Sequence, residues 1–194
     1  MISLDGVLQG PGSPTEDPSG GFKYGGWVAP YEDDDGGKLI QRLMQPSDIL
    51  IGGKTFAIWA NYWPTHSEFW PTINEVNKYV LSKKLKKSSR LVTGWNHSNV
   101  LRTIADIQKL KKSKGSNLQV WGSSKLVQSL LKNDLVDELW LLTYPLLLGK
   151  GKKLFASNAM PTALRLVESI ITPKGIIIAH YQKSGKVKTG TIGA

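Results

Sequence analysis

The apolar positions along this chain switch repeatedly between the rhythm of strands and the rhythm of helices. Leu118, Val120 and Trp121 form a short apolar run suited to a buried parallel strand. Gly122 ends it, and Ser123 or Ser124 can cap a helix that begins at once. Leu126, Val127, Leu130 and Leu131 then make one buried stripe, and Val136 to Leu142 read as the next strand. Upstream, the same logic gives a helix over Lys38 to Gln45 and a strand over Ser47 to Gly52, with a helix from Gly53 through Trp59. A third strand is expected over Tyr79 to Ser82 and a fourth over Leu91 to Thr93, with Trp95 to Ser98 as its turn. Ile104, Ile107 and Leu110 mark an amphipathic helix running into Lys111, Lys112 and Lys114 at its negative end. Met1 to Leu4 look like the end of a first strand that is cut short. Leu164 to Ile171 and Gly175 to Gln182 read as two strands joined by a Thr172–Gly175 turn, an antiparallel hairpin. Alternating strands and helices predict an α/β domain with a mostly parallel sheet. It spans residues 1–183, and a polar tail follows over 184–194.

Composition narrows the class. With 194 residues and 40% apolar side chains, the chain suits a globular domain with a substantial core. No window approaches the roughly 18 apolar residues that span a bilayer, and no secretory pattern opens the chain, so a cytoplasmic location is expected. The absence of cysteine rules out a disulfide scaffold and thiolate metal sites. His66, His97 and His180 stand alone in sequence, so no metal site is expected. Charge is unevenly spread: residues 1–76 hold 4 basic and 10 acidic side chains, residues 77–194 hold 21 and 5. The positive half can attract nucleic acid, a phosphate-rich dinucleotide or simply water.

Several stretches carry candidate chemistry. The Gly122-Ser123-Ser124 turn presents free backbone N–H groups at the positive end of a helix, a geometry that binds phosphate. Gly53-Lys54-Thr55 does the same after an earlier strand, adding a cation and a hydroxyl. It is not a Walker A loop, because Asp48 stands where that pattern needs glycine. Gln9 to Pro30 is too rich in glycine and proline for a regular element. It is interrupted by Phe22, Tyr24 and Trp27, with Tyr31 just beyond, which suggests a lid over a flat heterocycle. The acidic run Glu32 to Asp35 is read as a helix cap.

The motifs Gly122-Ser123, Leu126, Leu135-Val136-Asp137-Glu138-Leu139, Pro145, Leu148-Gly149-Lys150-Gly151 and Leu154-Phe155 resemble the dihydrofolate reductase-like family. The likeness is to the RibD C-terminal reductase domain of riboflavin-biosynthesis deaminase–reductases in particular. The resemblance implies a three-layer α/β/α fold, with a mostly parallel central sheet and a C-terminal antiparallel hairpin. It also implies NADPH as cofactor. Gly122, Ser123, Ser124 and Leu126 would then lie at the pyrophosphate, and Gly53, Lys54 and Thr55 at the cofactor's other side. Ser82 with Lys83 or Lys84 would meet the adenosine 2′-phosphate, although a solvated lysine cluster is the plain alternative. Asp5 would lie at the floor of the substrate pocket, orienting the substrate or relaying its proton, unless it only shapes an Asp-Gly turn. Trp27 and Trp59 are candidate pocket walls.

The activity so implied is NADPH-dependent hydride transfer to a C=N or C=O bond of a pterin-like or other small heterocycle. It would be of the dihydrofolate reductase or 5-amino-6-(5-phosphoribosylamino)uracil reductase type. Two alternatives stay open: a non-catalytic nucleotide or pterin binder on the same fold, and a basic nucleic-acid-binding protein. The expected partner is a small molecule, not a membrane. A homodimer is expected through the apolar Leu146 to Leu148 segment.

Overall fold

In chain order the strands are β1 (Ile2–Ser3), β2 (Asp48–Gly52), β3 (Lys78–Leu81), β4 (Ser98–Leu101), β5 (Leu118–Gln119), β6 (Glu138–Tyr144), β7 (Ala163–Ile171) and β8 (Ile177–Gly185). The helices are α1 (Asp34–Leu43), α2 (Gly53–Ala60), α3 (Arg90–Thr93), α4 (Ile104–Lys112) and α5 (Ser124–Lys132). This computed structural model describes residues 1–155, 157 and 159–193. The chain divides into a central unit, Asp34–Val127, and a terminal unit made of Met1–Asp33 and Gln128 onward.

The central unit is built on four parallel strands in the order β4-β3-β2-β5. Ile49, Leu50 and Ile51 of β2 are all buried, as expected when helices cover both faces of a parallel sheet. Phe56 of α2 stacks on Trp95 with ring centroids 5.7 Å apart. These two join Ile49, Ile51, Trp70, Ile73, Val80, Val92 and Val100 in one core. Each such aliphatic side chain contributes about 1.5–3 kcal/mol by leaving water. The core also encloses an ammonium group. Lys78 at the start of β3 is fully buried. Its Nζ donates to the Ile73 carbonyl at 3.1 Å and the Asn74 carbonyl at 3.2 Å, and lies 4.9 Å from the Trp95 ring centroid.

Two expectations need correction here. Leu91 to Thr93 belong to α3, and the fourth strand is Ser98–Leu101, which starts at the last residue of the expected Trp95–Ser98 turn. A three-residue apolar run fits either element, and the local ends decide. The Ser89 carbonyl accepts from Val92 and Thr93, and Gly94 N–H donates to the Arg90 carbonyl at 2.8 Å. A Cβ at Gly94 would sit 2.7 Å from that carbonyl oxygen, so the closure needs glycine. The strand before Gly122 is also shorter than its apolar run, because only Leu118 and Gln119 pair with β2. The acidic run is better placed than expected: α1 begins at Asp34, so Asp34 and Asp35 lie in its first turn. A full capping box closes the start of α4, with Thr103 Oγ1 accepting from Asp106 N–H and Asp106 accepting from Thr103 N–H.

The terminal unit holds a sheet of order β1-β6-β8-β7. β1 is short, as read, and runs parallel to β6. The hairpin joins through its second strand: β8 pairs antiparallel with β6, and β7 takes the edge. β8 extends to Gly185, so the tail starts later than residue 184. The Gln9–Pro30 segment has only short 3-10 turns, yet it is tied down. Gln9 is buried, and its amide donates to the Asp17 and Ser19 carbonyls while its oxygen accepts from Lys152 N–H. Lys152 also pairs with the Asp17 carboxylate. Phe22 packs so near Gly151 that a Cβ there would lie 3.1 Å from its ring and 2.5 Å from Val7.

Candidate functional site

In the central unit four parallel strands lie side by side, and groups suited to an anion stand beyond their carboxyl ends. The register Gly52↔Leu81↔Leu101 brings the carboxyl ends of β2, β3 and β4 level. Beyond them stand Gly53-Lys54-Thr55, Ser82-Lys83 and Arg102. Past β5, on the other side of β2, the chain turns at Gly122 and Ser123. Open α/β sheets bind ligands outside the carboxyl ends of their strands.

The turn after β5 is strained. Gly122 has φ 66° and Ser123 has φ 64°, a conformation that costs a non-glycine residue about 1 kcal/mol or more. It aims the Ser123 hydroxyl across to the end of β2. Ser123 Oγ accepts from Gly52 N–H at 2.9 Å and donates to Thr55 Oγ1 at 2.8 Å. A Cβ on Gly52 would lie 3.4 Å from that oxygen, in ordinary van der Waals contact. α2 starts directly at Gly53, and no side chain caps its first turn. Ser124 and Leu126 are buried in the first turn of α5. They shape this end of the site from behind, while Gly122 is exposed.

At the other end of the row, Ser82 N–H donates to the Leu101 carbonyl at 3.0 Å, and Arg102 Nη1 donates to the Ser82 carbonyl at 2.6 Å. Ser82 Oγ accepts from Leu85 N–H at 3.1 Å and lies 3.0 Å from where a Gly53 Cβ would be. A side chain at Gly53 would crowd Ser82. Lys83 and Lys84 are exposed. Arg102 has no carboxylate ion-pair partner among the described residues; the Asp106 carboxylate accepts from its backbone N–H instead. Those amides, first that of Arg102 and then that of Thr103, hold Asp106 below the ordinary carboxylate value. Sequence reading missed Arg102, because only the β3–β4 register makes it a neighbour of Ser82.

The remaining candidates divide between the units. Trp59 belongs to α2, where its ring meets Trp63 at 6.1 Å and Trp70 at 5.8 Å. Trp70 in turn meets Trp121 at 5.1 Å, so the aromatic wall reaches the residue before the Gly122 turn. In the terminal unit, Asp5 accepts from Ser3 Oγ at 2.6 Å, Leu148 N–H at 3.1 Å and Gly149 N–H at 2.9 Å. The Ser3 hydroxyl leads these donors in lowering the Asp5 pKa, against a smaller opposing effect of burial. The carboxylate is thus ionised at neutral pH and accepts from all three donors. Trp27 is buried, donates Nε1–H to the Gln9 carbonyl at 2.9 Å and meets Tyr144 edge-on at 5.2 Å. Burial, and after it the charges of Glu32 and Asp33, push the Tyr144 phenol up to about 12. Among the described residues no three His, Asp or Glu side chains gather as a metal site, and no helix is long and apolar enough to cross a membrane.

Comparison with known proteins fits this layout. Residues 1–178 match the family of the RibD C-terminal domain. The chain belongs to that family. Its full-length relatives include the uncharacterized protein YyaP of Bacillus subtilis (strain 168), 27% identical over 194 residues, covering 95% of this chain and 92% of YyaP. YwjB of the same organism is 40% identical over a shorter stretch of 58 residues, 30% of this chain and 33% of YwjB. Among solved structures, a protein from Shewanella sp. PV-4 named for riboflavin biosynthesis superposes with TM-score 0.68 at 21% identity, over 94% of this chain and 95% of its own. A pyrimidine reductase-like protein from Corynebacterium diphtheriae gives TM-score 0.57 at 19% identity, over 94% and 89%. At such identities these two speak for the fold. The RibD C-terminal domain match spans both units, so the split sheet and the antiparallel hairpin belong to one family fold of α/β type, mostly parallel with an antiparallel strand pair.

Proposed function

We propose that this chain is an NADPH-dependent reductase that passes a hydride to a C=N or C=O bond of a pterin-like or other small heterocycle. The observation that carries this reading is the row of anion-compatible groups that stand beyond the carboxyl ends of the central unit's four parallel strands. Gly122, Ser123 and Thr55 suit the pyrophosphate, through turn amides and the Thr55 hydroxyl, whose proton the Ser123–Thr55 hydrogen bond does not use. Arg102, Lys83 and Ser82 suit a 2′-phosphate, since a guanidinium offers planar, charge-assisted donors. The cofactor, when bound, supplies the hydride. The protein's part is to hold donor and acceptor carbons in reach and to exclude water. The ionised Asp5 would accept a hydrogen bond from a ring N–H or amino group and so orient the substrate. Family membership supports a reductase on this fold, and the substrate is inferred by analogy.

A non-catalytic binder is the alternative favoured by one detail: three of the protein's own groups already occupy Asp5. Following NADPH absorbance with a panel of pterins and aminouracils separates the two. Loss of absorbance that depends on an added heterocycle supports the reductase. Tight NADPH binding with no oxidation by any member of the panel supports the binder.

A further inference from the structure

The ammonium of Lys78 sits in a cage made by a neighbouring turn. The two carbonyls that accept from its Nζ, those of Ile73 and Asn74, end the Pro71–Asn74 3-10 turn, where a helical end leaves acceptors without partners of its own. The face of Trp95 lies 4.9 Å from Nζ by its ring centroid, within reach of a cation–π attraction. Among the described residues no carboxylate pairs with Nζ; Asp48 accepts instead from the Asn77 backbone and side-chain N–H groups. Lys78 is also the one charged side chain among the described residues that is fully buried. An apolar side chain in place of a buried charge is often neutral or stabilising, so stability alone does not account for a lysine here.

That turn is where the aromatic wall is fastened. Trp70 directly precedes it, and the Trp70 carbonyl accepts from Ile73 N–H at 3.1 Å. Asn74 Nδ2 donates to the Trp63 carbonyl at 3.2 Å, and Asn74 Oδ1 accepts from Trp95 Nε1 at 2.7 Å. From Trp70 the wall continues to Trp121, next to Gly122. Trp95 in turn stacks on Phe56, the residue after Thr55. We propose that Lys78 is a positioning residue whose ammonium pins the Pro71–Asn74 turn and, through Trp70 and Asn74, sets the aromatic wall that borders the Gly122 turn. A neutral side chain of similar length fills the same space but offers no donor to the two carbonyls. The turn and its tryptophans then lose the group that fixes their place. The pin itself is independent of the reductase reading, and its effect on ligand binding rests on that reading.

Near-UV circular dichroism reports fixed tryptophan packing and tests the pin without any ligand, while NADPH titration tests its reach. At neutral pH Lys78→Met should keep a cooperative unfolding transition while its near-UV bands weaken and its NADPH affinity falls roughly tenfold. In Lys78→Ala, added propylammonium, which replaces the deleted part of the side chain, should restore the bands, and propanol should not. Unchanged bands in Lys78→Met, or equal restoration by propanol, would overturn the pin. Altered bands with wild-type NADPH affinity would overturn its reach to the site. A wild type that binds no dinucleotide would instead contradict the reductase reading, and the spectra alone would then decide the pin. Heteronuclear NMR of the wild type needs no substitution: the enclosed Lys78 ammonium should give a slowly exchanging signal that shifts as NADPH saturates, as reciprocal coupling requires. A signal that stays in place while NADPH binds would also overturn the coupling.

Discussion

The Ser123 hydroxyl donates to Thr55 Oγ1 at 2.8 Å across 68 residues of sequence. Since Thr55 Oγ1 is thereby an acceptor, its own proton remains to be donated to another oxygen. Ser123 also satisfies Gly52 N–H. Losing it leaves a partly buried donor unpaired, at about 1–3 kcal/mol. Ser123→Ala should therefore lower both stability and dinucleotide affinity, the latter roughly tenfold. Ser123→Gly should be the milder variant in stability by about 1 kcal/mol, because glycine relaxes the positive φ. Chemical denaturation of the two variants checks the order, and a milder alanine variant would contradict it.

Arg102 should act on cofactor choice. If its guanidinium meets a 2′-phosphate, Arg102→Ala should cost NADPH about 1.5–3 kcal/mol, the worth of a charge-assisted hydrogen bond, and leave NADH affinity nearly unchanged. Calorimetric titration with both dinucleotides reads this directly. Equal losses for both would assign Arg102 to structure, through its bond to the Ser82 carbonyl.

Asp5 ties the first turn to Leu148 and Gly149, so Asp5→Ala should loosen the 146–151 loop as well as any chemistry. Asp5→Asn keeps the shape and one acceptor oxygen. We expect Asp5→Asn to bind NADPH like the wild type while turnover falls at least tenfold. Unchanged turnover would leave Asp5 with its turn-fixing role alone.

Lys78 makes stability depend on pH. Burial lowers its pKa from 10.5 to about 8, partly offset by Asp48. Between those values the unfolded chain binds more protons than the folded one, so stability rises with pH from about 8 to 10.5. Below about 8 the full cost of the buried ammonium is present, on the order of 3 kcal/mol. Tyr144 works in the opposite sense: its pKa is raised from 10.0 to about 12, so stability is lost as pH climbs through that interval. Denaturation followed by tryptophan fluorescence should show the rise above pH 8, and Lys78→Met should abolish it. A wild-type curve that is flat or falling over that range would contradict the burial argument.

The strand–turn–helix at Gly122 was legible because an apolar run, a glycine and a helical stripe follow one another without interruption. The β4 strand was not. Of its four residues only Val100 is buried, as befits an edge strand, so its apolar pattern is too thin to compete with Leu91-Val92. Gly53, Thr55, Ser82, Gly122 and Ser123 could be picked out as local turn chemistry, but that Ser123 spends its hydroxyl on Thr55 and Gly52 is a tertiary fact. Arg102 carries no local signal, and only strand register places it beside Ser82. The three donors on Asp5 come partly from more than 140 residues away, which no periodicity reports.

Titration of the purified chain with NADPH, NADH and NADP⁺ tests the dinucleotide site most directly. Trp121, joined to Trp70 at 5.1 Å and adjacent to Gly122, makes tryptophan fluorescence a reporter of that turn. The predicted result is quenching that saturates at micromolar NADPH, with NADH weaker by an order of magnitude or more. No saturable response to any of the three would contradict the assignment of the strand-end row to a dinucleotide.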